Sequence, residues 1–335
     1  MNLSKGTPVV EKIDERVIDL DDESNKPKII DDYLKDIKVE NFDIFTTIPI
    51  NNVVVKKINL PKKLNDEKRR NAIKIDIDSY VPYQVDNANS VIFDYQEIEE
   101  SGPSVKLLLV ASKRQHVESR LETFNMTETS FSNINLNVKS LSLMSILEYA
   151  GKQQEPAIVL DIGQFDSEVL IADKDNFYMA RSIDLGGNNF TKVLMDEIDL
   201  NYLKAEKVKK QNNYFDKEKA VQTIFNEKGL ESYMFSEKLA GQMQQLANDI
   251  NLEIEKINSF FTSKFSRSAN TVYLTGGGAK LKGMVDYMNA QQSAFTIKKL
   301  EFNNLNLKIK DKEFNNKYLD QFATAIGTGL AEYIK

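Results

Sequence analysis

Ala157-Ile158-Val159-Leu160-Asp161-Ile162-Gly163 is an apolar run closed by an acid and a glycine. Short apolar runs bounded by turn residues read as strands covered on both faces, the kind found in the middle of an α/β sheet. Two shorter strands follow, Glu168 to Ala172 and Phe177 to Ile183, and the second runs into Asp184-Leu185-Gly186-Gly187. Further along, Val272 to Leu274 forms another strand and enters Thr275-Gly276-Gly277-Gly278-Ala279. Gly327 and Gly329 lie in a last helical stretch, Tyr318 to Ile334. Eight of the fourteen glycines thus fall in four tight groups, three of them just after a predicted strand. Glycine lets the backbone take positive φ and come close to a ligand. Backbone N–H groups at strand-to-turn and strand-to-helix junctions make a cradle for phosphate. Any one group also reads as an ordinary turn, and Asp161 as a turn aspartate; the ordered series of four is the specific signal.

Neither of two common phosphate loops is present. No glycine-spaced Gly-Lys-Ser/Thr occurs, and no Gly-x-Gly-x-x-Gly follows a first strand. A chain of 335 residues exceeds what one core sustains, so two lobes are expected. The net charge is −6 and no extended Lys/Arg tract exists, which argues against a nucleic-acid partner. The absence of cysteine removes disulfides, thiolate zinc sites and a Cys nucleophile, and fits a cytoplasmic location. The single histidine, His116, leaves no scope for a His-based metal site or a Ser-His-Asp triad and reads as a surface or helix-start residue. Apolar runs such as Leu107 to Ala111 are far shorter than the roughly 20 residues of a membrane span. Met1 to Val10 lacks the apolar core of a secretory signal. A membrane link would therefore run through a partner.

The first part of the chain has a different texture. Met1 to Lys28 is polar, with one strand expected near Val17-Ile18, and Asp31 to Ile37 reads as a short helix. Phe42 to Pro49 and Val53 to Leu60 read as strands, Leu64 to Tyr80 as a helix, Val91 to Ile98 and Val105 to Ser112 as strands, and Arg114 to Phe124 as a helix. That order, β-β-α-β-β-α, is a compact α+β unit. Val138 to Tyr149 reads as a short helix and Phe190 to about Lys210 as one long helical region. Leu239, Met243, Leu246, Ile250, Ile254, Ile257 and Phe261 recur at three- and four-residue spacing, which predicts a long amphipathic helix. Its stripe reads as core-facing, with a dimer seam, and so a homo-oligomer, as the second reading.

In this order the motifs resemble those of the actin-like ATPases, the superfamily of actin, the sugar kinases, the Hsp70 ATPase domain and FtsA. Val159 to Gly163, with Ser167 where the family often has Thr, resembles the second phosphate loop. Arg181 to Thr191, with Gly186 and Gly187, resembles the segment that follows. Ala205-Glu206-Lys207-Val208-Lys209 resembles the Ala-Glu-x-x-Lys pattern, and Leu274 to Ala279 with Leu281 and Gly283 resembles the adenosine motif. Ala325 to Ala331, with Gly327, resembles the second connecting helix. Within the superfamily the chain most resembles the PilM family of type IV pilus assembly proteins, through Ile48-Pro49, Leu60-Pro61 and Tyr80-Val81-Pro82-Tyr83 in the first half.

The resemblance implies an α/β fold of two lobes, actin-like and ribonuclease H-like, with an extra α+β subdomain in the first lobe at about 42–124. It implies a first lobe over 1–150 and a second over 151–335, the last helix returning toward the first lobe. It implies ATP and Mg2+ as cofactors, with Asp161 at the metal and its water. Gly163, Ser167, Gly186, Gly187, Gly276, Gly277, Gly278 and Gly327 would lie around the nucleotide, and Glu206 and Lys209 would approach the nucleoside. One departure stands out: the strand–hairpin–strand of the first phosphate loop has no counterpart, since the only early glycine is Gly6. The first lobe is thus expected to begin past that loop, leaving a sheet edge for another element or a partner to cover. The implied role is a cytoplasmic adaptor, at most a weak ATPase. It would hold the cytoplasmic tail of a PilN-type inner-membrane protein beside other platform or motor proteins. An active ATPase switch, an FtsA-like filament former and a small-molecule kinase are the other readings of the same fold.

Overall fold

A computed structural model describes residues 1, 7–15, 25–37, 42–150, 155–216, 232–301, 305, 307–310, 319 and 321–334. Two compact units arise from contact density, Lys12–Lys139 and a second built from Met1–Glu11 with Ser140–Lys335. The strand expected near Val17-Ile18 lies outside the described residues.

The second unit is organised by the apolar run quoted first. It forms β7, Ala157–Ile162, with all six residues buried. Strand β8, Ser167–Ala172, pairs with it antiparallel and is buried throughout as well, so both are covered on both faces. Strand β9, Phe177–Ile183, pairs antiparallel with β8 and ends the sheet on that side. On the other side lie β10, Thr271–Thr275, and β11, Thr296–Lys299, both parallel to their neighbours. The order is β11-β10-β7-β8-β9. Parallel pairing of β7 with β10 puts Asp161 level with Thr275, so the two glycine-bearing turns leave the sheet side by side.

Helices cover this sheet. Gly187–Ile198 (α6) and Tyr202–Gln211 (α7) replace the single helix expected over 190–210. Asp199, at φ 51°, terminates the first, and the Asn201 side chain accepts from the Lys204 amide to start the second. The periodic stripe is helix α8, Ser232–Phe265. Leu239, Met243, Ile250, Ile254 and Phe261 are fully buried and Ile257 nearly so, so the stripe faces the core as read. Met284–Ala290 (α9) and Ala323–Ile334 (α10) follow. Helix α5, Lys139–Ala150, carries Ser142, whose carbonyl occupies the place a Cβ at Gly327 of α10 would take. Thr328 donates to the Ser142 hydroxyl at 3.0 Å beside that crossing. The chain start is tied in by β1, Val9–Val10, parallel to β12, Lys308–Ile309.

The first unit contains an α+β module built on three of the four strands read in the sequence there, while the first of them, Ile44–Ile48, pairs elsewhere. Strands β3, Val53–Pro61, β4, Val91–Ser101, and β5, Ser104–Lys113, form an antiparallel sheet in the order β3-β5-β4. Central β5 alternates from Val105 to Ala111: Val105, Leu107, Leu109 and Ala111 are buried, while Lys106, Leu108 and Val110 face the other way and are half-buried. The buried face packs on Ile73 and Ile77, from α2, Asp66–Ile75, and α3, Ile77–Tyr80. The helix expected over 64–80 is therefore broken at Asp76. The unit also holds α1, Lys26–Ile37, and α4, Arg114–Asn125. Its parallel strand pair is β2, Ile44–Ile48, with β6, Ile134–Val138, a strand that the sequence reading did not include.

Candidate nucleotide site

Asp161 ends the apolar run at the carboxyl end of β7 and is 5% exposed. Thr324, on the first turn of α10, donates its hydroxyl to Asp161 Oδ2 at 3.0 Å. Gly276, at φ +85°, brings the turn after β10 against the same carboxylate. A Cβ there would collide with Asp161 Oδ1 and with the Ile162 carbonyl. A Cβ on Gly278 would collide with the Ile162 side chain, whereas one on Gly277 would meet nothing within 4 Å. Glycine at 276 and 278 is thus required by backbone-to-strand approach, and Gly277 faces open space.

The turn from β7 to β8 is closed by the Gly163 amide donating to the Asp166 carbonyl at 2.9 Å. At its tip the amides of Gln164 and Phe165 donate to no backbone carbonyl among the described residues. Ser167 Oγ donates to the Leu185 carbonyl, fastening β8 to the segment before α6. The first turn of α6 is bound to this turn. Gly187 and Asn188 amides donate to the carbonyls of Gly163 and Gln164 at 2.8 and 2.7 Å. Gly186 sits so close that a Cβ would lie 2.6 Å from the Phe165 carbonyl carbon. Asn189 Oδ1 accepts the Gly186 amide at 2.9 Å.

Glu206 and Lys209, on α7, point into the protein at this same turn. Lys209 Nζ donates to the Gly187 carbonyl at 3.0 Å, to Thr191 Oγ1 at 2.7 Å and to Glu206. Thr191 also donates to Glu206. Burial pushes the Lys209 ammonium below its ordinary value, partly offset by Glu206. Burial alone would raise Glu206, but the Lys209 and Thr191 hydrogen bonds outweigh it and hold the carboxyl low. The pair is therefore an internal ion pair that holds the start of α6.

The predicted residues form two adjoining groups. Asp161, Gly163, Gly276, Gly277 and Gly278 meet at the carboxyl ends of β7 and β10. Gly186, Gly187, Glu206, Lys209 and Ser167 form the shelf behind the first turn. Gly327 lies apart from both, at the α5–α10 crossing. Thr324 was not legible in advance, because a threonine one turn into a helix carries no pattern of its own. The open turn amides and the bare Gly277 backbone fit an anionic ligand such as the phosphates of a nucleotide. The α6 amides do not, being used within the protein. Among the described residues no group of three or more His, Asp or Glu is placed to hold a metal ion. A divalent cation here would have to be held largely by the nucleotide it accompanies.

These strands, loops and helices have counterparts among known proteins. The solved PilM–PilN type IV pilus biogenesis complex matches 93% of this chain and 85% of its own, with TM-score 0.71 and 19% identity, which shows a shared fold. MreB 5 of Spiroplasma citri bound to AMPPNP matches at TM-score 0.44 and 14% identity, over 92% of this chain and 75% of its own. The archaeal actin homolog Ta0583 matches at TM-score 0.45 and 15% identity, over 92% and 76%. The mixed α/β fold is the one seen for PilM in that complex. The family model described as Type IV pilus assembly protein PilM matches residues 9–333. The chain belongs to that PilM family.

Proposed function

We propose that this chain is an actin-like adaptor of the type IV pilus assembly platform that grips the cytoplasmic tail of a PilN-type membrane protein. The observation that carries the reading is the family match over residues 9–333, joined to a shared fold with PilM solved in complex with PilN. No described helix is long and apolar enough to cross a membrane, so attachment through a partner suits the chain. The α+β module is the part we assign to the tail. Its sheet leaves Val55, Leu108, Val110 and Ile92 half-buried on the face away from α2. Strand edges and half-buried aliphatic faces take extended peptides. A tail peptide should bind saturably, and Leu108→Ser should weaken it several-fold; a folded chain that binds no such tail in a pull-down would refute the reading. Other platform or motor proteins would contact the chain elsewhere.

A nucleotide-regulated form of this adaptor is favoured by the Gly276 turn against Asp161. ATP with Mg2+ would be held by Asp161, the amides of Gln164 and Phe165 and the Gly276 to Gly278 loop. Glu206 and Lys209 would support the α6 shelf rather than touch the ligand. The bound nucleotide would supply phosphate charge that the turn amides neutralise. Calorimetric titration with ATP and Mg2+ should show binding that Asp161→Ala weakens at least about tenfold, roughly 1.4 kcal/mol. Equal binding by the variant would remove Asp161 from the site, and no binding by the folded wild type would leave a nucleotide-free adaptor.

A further inference from the structure

Strand β9 is the last strand of the five-stranded sheet, and among the described residues nothing pairs with its outer side. Helix α8 runs past this open edge. Its residues reach β9 in reverse order: Phe261 and Phe265 stack on Tyr178, Phe260 lies under Arg181, and Asp249 and Glu253 reach the level of Asp184. Strand edge and helix therefore bound one groove, whose far end widens into a cleft of about 530 Å³. That end carries three carboxylates, Asp184, Asp249 and Glu253, against one ammonium, Lys256, already paired to Glu253 at 2.7 Å. Leu252 lines that end and Phe260 lies further along the groove, between Arg181 and Lys264, each with about half its surface exposed, at 49% and 47%. An unpaired strand edge lined by large exposed apolar side chains is normally blunted or covered.

We propose that this groove is a second docking surface, separate from the tail-binding module, and takes an extended basic segment of a partner protein as an added strand on β9. The strand edge supplies main-chain hydrogen bonds and the groove selects side chains. Charge decides the sign: the net acidic end, beside Leu252, takes an arginine or lysine, and Phe260 at the other end takes an apolar residue. The two sites are spaced by geometry. From Leu252 to Phe260 the helix rises about 12 Å at roughly 1.5 Å per residue. A strand covers that in about four residues at roughly 3.3 Å each, and an even spacing keeps both side chains on one face. The partner segment therefore carries a basic residue and a large aliphatic or aromatic residue about four positions apart.

The test uses the full chain and a labelled nine-residue probe of alternating threonine and valine, with arginine at its third position and leucine at its seventh. Fluorescence anisotropy should show saturable binding, and amide exchange should slow in β9. The surface variant Asp184→Asn with Asp249→Asn and Glu253→Gln should lose at least about tenfold in affinity, and the loss should shrink as salt rises. Leu252→Lys, at an exposed position, should also weaken binding while the fold is kept. No binding of the probe would overturn the proposal. So would equal binding of a probe with glutamate for arginine, or unchanged binding by the charge variant. Concentration-dependent self-association abolished by Leu252→Lys would overturn it too, assigning the groove to a second copy of this chain.

Discussion

At Gly276 and Gly277, adjacent and chemically identical residues have opposite constraints. Gly276 takes a φ of +85° and leaves no room for a Cβ beside Asp161, while Gly277 faces open space. Gly276→Ala should destabilise the chain by about 1–3 kcal/mol, through positive φ and the displaced carboxylate. Gly277→Ala should stay within roughly 0.5 kcal/mol in the same urea titration. Equal effects would mean the turn does not lie against the strand as described. At the amino ends of the parallel strands, Asp173 is the counterpart of Asp161. Its carboxylate accepts the amides of Asp175 and Asn176 at 3.0 and 2.8 Å and the Tyr178 hydroxyl at 2.7 Å, with Arg267 alongside at 3.3 Å. Burial would raise this carboxyl, but those hydrogen bonds outweigh it and hold it low. Burial and the bond to Asp173 push the Tyr178 phenol up to about 12. A depressed carboxyl adds stability above its unfolded value, near pH 4, and loses it as pH falls through the folded value. Asp173→Asn should therefore lower stability at pH 7 by about 1–3 kcal/mol and flatten the acid side of the stability profile. An unchanged acid slope would mean Asp173 is not held low.

Among the elements, α8 carries the longest apolar stripe. Ile254 is fully buried against the sheet and Leu252, two residues away, is half exposed. Ile254→Ala should cost about 2–5 kcal/mol in thermal or urea unfolding, and Leu252→Ala should change little. Similar losses at both would contradict the assigned face. The stripe was readable because seven apolar residues hold one period over six turns. Strands β7 and β9 were readable for a similar reason, as unbroken or β-rich runs ended by glycine. The division of residues 190–210 into two helices was not. Asp199 and Asn201 favour turns and caps over a helical interior, but each also occurs within helices, and the positive φ at Asp199 with the cap at Asn201 fixes the break. Strand β6 was legible but passed over: Ile134, Leu136 and Val138 alternate with Asn135 and Asn137, which is the period of a strand. In the candidate site, Gly186, Gly276 and Gly278 were legible because backbone geometry demands glycine there. The inward turn of Glu206 and Lys209 was not, since a side chain's direction depends on neighbours far along the chain.

Over the whole molecule, one unit is assembled from both ends of the chain. Strand β1 pairs with β12 and Lys310 joins Glu11 at 2.9 Å, so residues 1–11 belong to the same unit as residues 140–335. The other unit holds the α+β module, with its own core around Ile73, Leu107 and Leu109. The two kinds of surface proposed above therefore sit on different units: the tail face on the module, the β9 groove on the sheet of the second unit. A single-site lesion should separate them. The adaptor role is tested by calorimetric titration of the chain with the cytoplasmic tail peptide of a PilN-type membrane protein. Saturable one-to-one binding that Leu108→Ser weakens, and that Asp249→Asn leaves intact, is the predicted result. A folded chain that takes up no tail peptide, or binds it equally well with Leu108 replaced, would contradict it.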